Sequence, residues 1–278
     1  TRTWTATDLS GNVSSADQII TIFDTTPPAI SAPADATVEC DADSSPAATG
    51  TATATDNCTA SVTITFSDAA LAGGCPSEGT ITRTWTATDA CGNASSADQI
   101  ITLTDNTAPT AFCQDATVFM NSGGTASITP SDVGMGTDNC GNVTLAASPT
   151  TFNCANIGNN AVVLTATDEC GNSGTCQANV LVLDNIAPSA ICRGATVQLD
   201  GTGNAILNES VVDNGSSDNC GVPSLTISQG SFSCADIGTT TVSLTATDSE
   251  FNSTTCASQV TVEDLSLIHI SEPTRRIT

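Results

Sequence analysis

The sequence predicts an all-β chain of small sandwiches, set in tandem as a semi-rigid rod. Three observations carry this. A set of motifs returns about every 80 residues, strand-formers alternate with turn residues, and 13 cysteines stand among 278 residues. The repetition is the strongest signal. Thr3-Trp-Thr-Ala-Thr-Asp8-Leu-Ser-Gly-Asn12 returns as Thr84-Trp-Thr-Ala-Thr-Asp89-Ala-Cys-Gly-Asn93, then as Val163-Leu-Thr-Ala-Thr-Asp168-Glu-Cys-Gly-Asn172 and Ser243-Leu-Thr-Ala-Thr-Asp248-Ser-Glu-Phe-Asn252. From Asp8 to Asp89, Asp168 and Asp248 the steps are 81, 79 and 80 residues.

Two further motifs keep the same order. Thr55-Asp-Asn-Cys58 is matched by Thr137-Asp-Asn-Cys140 and Ser217-Asp-Asn-Cys220. The joints read Asp24-Thr-Thr-Pro-Pro28, Asp105-Asn-Thr-Ala-Pro109 and Asp184-Asn-Ile-Ala-Pro188. The boundaries follow: 1–26 is the end of a truncated repeat, and 27–107, 108–186 and 187–264 are full ones. Proline closes each joint because it offers no N–H to a ladder and stiffens a short linker. Residues 265–278, from Leu265 to Thr278, break the pattern and resemble translated sequencing-adapter read-through, so they are set aside as a non-native tail.

Inside each repeat the period is two. The alternation of Arg83-Thr-Trp-Thr-Ala-Thr and Val162-Val-Leu-Thr-Ala-Thr puts Trp85, Leu164 and Leu244 on one face, and Trp4 and Trp85 read as core residues. Asp-x-Cys-Gly-Asn supplies a turn in which Gly is free to take positive φ. A second strand follows, as in Ile100-Ile-Thr-Leu-Thr, Ala178-Asn-Val-Leu-Val-Leu and Ser258-Gln-Val-Thr-Val. Short strands with frequent turns over about 80 residues describe a small immunoglobulin-like sandwich.

Composition narrows function. There are 29 acidic residues against 5 basic ones, all Arg, for a formal charge of −24. Such a surface repels phosphate backbones and anionic headgroups, so no nucleic-acid partner and no membrane insertion are expected. No apolar run reaches the length of a bilayer span. The same acidity keeps a long exposed protein soluble and attracts cations.

Thirteen cysteines indicate an oxidising compartment, extracellular or at the cell surface. Shared absence suggests a pairing. The repeat 27–107 lacks equivalents of Cys113 and Cys176, which pairs Cys113–Cys176 and Cys192–Cys256. The remainder gives Cys140–Cys154, Cys220–Cys234, Cys58–Cys75 and Cys40–Cys91, and leaves Cys170 over. Cys170 is then a free thiol, an intermolecular link, or a sign that the scheme fails in its repeat.

Catalysis finds little to work with. The one histidine, His269, stands in the tail, and there is neither Lys nor Tyr. Histidine-based triads, Schiff-base lysines and phenolic acids are therefore absent, and the chain is expected not to be an enzyme. Ser122-Gly-Gly-Thr125 lacks the lysine and helix of a phosphate loop. Calcium is the one cofactor the residue types admit. Its candidate ligands are Asp56, Asn57, Asp138, Asn139, Asp218 and Asn219 of the Asp-Asn-Cys motifs; Asp89, Asn93, Asp168 and Asn172 of the turns; and Asp105, Asn106, Asp184 and Asn185 of the joints. The same residues also build Asx-turns with no ion.

Asp24-Thr-Thr-Pro-Pro-Ala-Ile, Ala36-Thr-Val, Asp-Asn-Cys and Thr-Ala-Thr-Asp-x-x-Gly-Asn together resemble the hyalin repeat (HYR) family over nearly all of residues 1–264. The resemblance implies immunoglobulin-like extracellular modules linked to adhesion, with no catalytic residues. The Cys- and Thr-rich version with Asp-Asn-x-Ala-Pro joints is similar to arrays in giant surface proteins of Bacteroidetes-type bacteria. Glu250-Phe251 departs from the Cys91-Gly92 and Cys170-Gly171 of the two preceding turns. The leading expectation is an adhesive stalk whose partners are its own neighbouring repeats and a surface or matrix ligand. An accessory spacer of a secreted hydrolase is one alternative. A glycan-binding module is another, for which 3% aromatic residues supply few stacking platforms.

Overall fold

The computed structural model describes residues 1–58, 61–69 and 78–264. Cys75 and the expected tail 265–278 lie outside them. The chain is all-β, with sandwich-like sheets.

Its backbone is organised by long hairpins. Gly79–Thr88 runs antiparallel to Ala94–Thr104, with Trp85 opposite Ala97 and Arg83 opposite Gln99. Gly238–Thr247 pairs in the same way with Ser253–Glu263, and Gly158–Thr167 lies beside Ser173–Leu183. Each hairpin is widened to four strands. On one edge lies Thr63–Asp68, Thr144–Ser148 or Ser224–Ile227. On the other lies a short parallel strand, Ala36–Glu39, Ala116–Phe119 or Ala195–Gln198. A parallel neighbour cannot be reached by a tight turn, so the chain first passes through a second layer. Small two-stranded sheets supply it: Ala29–Ser31 with Thr53–Thr55; Thr110–Cys113 with Gly134–Thr137 and Thr125–Ser127 with Thr151–Asn153; and Asn204–Ile206 with Ser231–Ser233.

The apolar face of every hairpin is the one the period of two selects. Ala126 and Phe152 of one small sheet pack with Val162, Leu164, Val180 and Val182 of the large one. Ala205 and Phe232 meet Val242, Leu244, Val260 and Val262 in the same manner. Leu164 and Leu244 are fully buried, each contributing about 2 kcal/mol of transfer free energy.

The sandwich of residues 28–104 departs from this. Where the others place Val162 and Val242, it buries Arg83, 2% exposed. Arg83 grips Asp68 with Nε and Nη2 at 2.8 and 2.9 Å. It also donates to Thr49 Oγ1 at 3.0 Å and to the Ser44 carbonyl at 2.9 Å. Gln99, buried beside it, donates to the carbonyls of Thr49 and Ala34. Trp85 is core, as expected. Trp4 is 58% exposed instead: it stands on the two-stranded hairpin of Arg2–Thr7 and Val13–Gln18, which among the described residues has no facing layer.

The turns after the Thr-Ala-Thr strands hold the predicted shape. The N–H groups of Asp89, Asp168 and Asp248 donate to the carbonyls of Asn93, Asn172 and Asn252 at 3.0–3.1 Å. Gly92 and Gly171 take φ of 92° and 97° there, and Phe251 takes 67° in the turn that lacks glycine.

Contacts group the chain into two compact units. One holds Thr1–Pro109, Thr137–Thr144 and Thr167–Ser173; the other holds Thr110–Gly136, Leu145–Ala166 and Gly174–Thr278.

Candidate functional site

Three aspartates from three motifs converge at each Asp-to-Pro joint, and each does a structural task first. The joint aspartates Asp24, Asp105 and Asp184 accept the N–H of Thr26, Thr107 and Ile186 on Oδ1 at 3.1, 3.2 and 3.0 Å. Asp56, Asp138 and Asp218 accept the N–H of Cys58, Cys140 and Cys220 on Oδ2, each at 2.8 Å. These are Asx-turns, with the carboxylate replacing a backbone acceptor.

The third aspartate is tied twice to its partner asparagine. Oδ1 of Asp89, Asp168 and Asp248 accepts the backbone N–H of Asn93, Asn172 and Asn252 at 2.7–2.8 Å, and Oδ2 accepts their Nδ2 at 2.8–2.9 Å. The same Nδ2 donates to the carbonyl of Asp24, Asp105 or Asp184 at 3.1, 2.9 and 3.1 Å. One side-chain amide thereby binds each turn to its joint.

Carboxylate oxygens of Asp24, Asp56 and Asp89 all lie within 4.8 Å of one another, and those of Asp184, Asp218 and Asp248 do the same. At the middle joint Asp105 and Asp138 meet within that distance beside the Cys140 sulfur. Burial raises the pKa of Asp105 above the usual carboxylate range, against the Thr107 N–H, and the charges of Asp138, Asp168 and Glu39 push the same way. Burial also works against Asp89 and Asp168, but the hydrogen bonds from Asn93 and Asn172 and their turns outweigh it and hold both below that range.

Of the expected calcium ligands, Asp56, Asp89, Asp105, Asp138, Asp184 and Asp218 fall in these clusters, with Asp168 beside Asp105. Asn93 and Asn172 clamp the turns. Asn106 donates to Glu39 at 3.2 Å, Asn139 to the Cys140 sulfur at 3.0 Å, and Asn219 to the Asn121 carbonyl at 3.4 Å. Asn57 and Asn185 are exposed. Asp24 and Asp248 were missing from the expected set, although their motifs, Asp-Thr-Thr-Pro-Pro and Thr-Ala-Thr-Asp, already aligned them with members of it.

The cysteines correct the expected scheme. Cys113 bonds Cys176 and Cys192 bonds Cys256, stapling each sandwich internally with Cα atoms 5.8 Å apart. Cys140 does not bond Cys154, nor Cys220 Cys234, nor Cys40 Cys91. Instead Cys40 bonds Cys140 across 100 residues, and Cys154 bonds Cys220 across 66. Cys58, Cys91 and Cys234 are exposed thiols, so the expected Cys58–Cys75 bond is not made, and Cys170 is disulfide-bonded rather than left over. The physical reason is placement. The Asp-Asn-Cys turn lies against the joint that precedes it, within reach of a cysteine from the segment before. Asn139 Nδ2 approaches the Cys40 sulfur, and the Asn219 carbonyl approaches the Cys154 sulfur. In the segment 187–264 the two remaining cysteines, Cys220 and Cys234, looked like a pair only by number. The Cys58 thiol is kept protonated to higher pH, first by the charge of Asp24 and then by burial and Asp56.

No curated protein matches the chain. Among solved structures, human CDH23 EC21-23 aligns at 10% identity and a TM-score of 0.38, covering 84% of this chain and 100% of that one. Mouse cadherin-23 EC22-24 aligns at 12% and 0.34, covering 86% and 99%. Immunoglobulin domains 1-5 of Sidekick-1 align at 14% and 0.35, covering 94% and 66%. The family match is local and bears on the sandwich with the buried Arg83: residues 28–103 match the HYR-like domain with 4 cysteines, which supports assigning that segment to the HYR family.

Proposed function

We propose that this chain is a non-catalytic stretch of an extracellular adhesive stalk, in which HYR-like sandwiches bounded at 27–107, 108–186 and 187–264 hold a binding head away from its anchor. The observation that carries this reading is the pair of bonds Cys40–Cys140 and Cys154–Cys220. An internal staple stabilises one sandwich. A bond that reaches into the next sequence repeat instead resists separation of neighbours, which is the task of a part that transmits tension. The HYR match of residues 28–103 and the high cysteine content support an oxidising, extracellular setting.

Single-molecule pulling on the purified chain tests it. The Cys40–Cys140 bond conceals roughly 340 Å of extended chain and Cys154–Cys220 roughly 220 Å, from their separations of 100 and 66 residues. The oxidised protein is expected to withhold these lengths under force and to release them when dithiothreitol is added. A full-length extension without reductant would remove the basis of the reading.

A further inference from the structure

We infer that the cluster of Asp184, Asp218 and Asp248 is a calcium site, and that the equivalent aspartates at the other joints are sites of the same kind. The turn hydrogen bonds already described use one oxygen of Asp184 and one of Asp218. The other oxygens, Asp184 Oδ2 and Asp218 Oδ1, are buried and meet no hydrogen-bond donor. Asp184 itself is only 5% exposed. An Asx-turn accounts for one oxygen of each carboxylate and leaves these two unexplained. A buried, unpartnered carboxylate oxygen beside two further carboxylates is unfavourable on both counts, desolvation and like charge. Asp24 Oδ2 and Asp138 Oδ1 are placed in the same way at the other joints.

The donor set selects the ion. Every group at Asp184, Asp218 and Asp248 offers oxygen, with neither imidazole nor thiolate, which favours a hard cation. Calcium binds oxygen at about 2.3–2.6 Å, so ligands on opposite sides of one ion stand roughly 4.6–5.2 Å apart. Oxygens that all lie within 4.8 Å of one another therefore fit a single calcium shell. Magnesium demands a tighter octahedron and keeps more of its water. A recess lined by Asp218, Gly221, Val222 and Asp248 gives the ion a path from solvent and room for water ligands. At the middle joint the Cys140 sulfur lies near Asp105 and Asp138, but it is committed to Cys40 and is no thiolate ligand.

The test uses the whole chain with its disulfides intact, stripped with EDTA and exchanged into metal-free buffer. Isothermal titration with calcium chloride is expected to show saturable binding, with Kd on the order of 0.1–1 mM. The melting temperature should rise by about 5 °C at saturation. Asp184→Asn and Asp218→Asn should each lower the stoichiometry by one ion, and each should melt above the parent in EDTA because a repelling charge is gone. Far-UV circular dichroism and the count of free thiols confirm that a variant has folded; if one has not, the other decides. Absence of saturable binding, or unchanged stoichiometry in the folded variant, overturns the proposal. Magnesium titrated in parallel and binding equally well overturns the choice of calcium.

Discussion

Phe251 sits at φ 67° in a turn whose counterparts use glycine, with its ring 87% exposed. A bulky L-residue in the left-handed region crowds its own Cβ against the backbone, and an exposed ring returns little packing energy. Phe251→Gly is therefore expected to raise unfolding free energy by about 1 kcal/mol in urea titration, most of the steric cost being recovered. A loss of stability would mean that the ring makes contacts that matter. Arg83 presents the reverse case. The other two sandwiches carry valine at its position, yet Arg83→Val should destabilise, because Thr49, Gln99 and Asp68 are arranged around a cation. The expected cost is about 2 kcal/mol at neutral pH, at the low end because Asp68 is partly exposed and can rehydrate. The hydrogen bonds from Arg83 hold Asp68 below the usual carboxylate range, with desolvation opposing and the guanidinium charge adding. A carboxyl whose folded pKa is depressed contributes stability above its unfolded value, about 4, and loses it as pH falls through the folded value. The Arg83→Val penalty should accordingly shrink between neutral pH and a pH of about 2, measured by urea melts at both.

Among the elements, the hairpins and their buried faces were legible in the sequence, because a period of two leaves no choice of face. Trp85, Leu164 and Leu244 all point inward as the alternation requires. The turn was equally readable, since Asp, Gly and Asn each have a separate mechanical reason to stand there. Pairing of sulfurs was not. Shared absence identified Cys113 with Cys176 because both cysteines belong to one sandwich. Cys140 and Cys154 also stand in one sequence repeat, but partner choice there depends on which loop of a neighbouring segment lies opposite, and spacing carries no record of that. Trp4 shows the same limit: alternation gives the face of a strand, and burial needs a second layer to cover it. The aspartate clusters were half visible, as recurring residue types without the knowledge that three motifs meet. Iodoacetamide labelling without reductant is expected to modify Cys58, Cys91 and Cys234 and to spare Cys40, Cys113, Cys140, Cys154, Cys170, Cys176, Cys192, Cys220 and Cys256. Replacing both Cys154 and Cys220 with serine should cost about 4 kcal/mol by loss of a 66-residue closure, read from urea titration.

Across the whole molecule the four described bonds overlap in sequence. Cys40–Cys140 encloses Cys113, Cys113–Cys176 encloses Cys154, and Cys154–Cys220 encloses Cys192. Between residues 40 and 256 every peptide bond is therefore spanned by at least one sulfur link. Hydrolysis at one position in that stretch, whether in a loop or a strand, opens a ring without producing two molecules. Limited proteolysis should yield fragments that appear only on reducing gels, while the unreduced protein keeps its mass. Between residues 40 and 256 the chain can in this way be cut once per ring and still stay joined through sulfur.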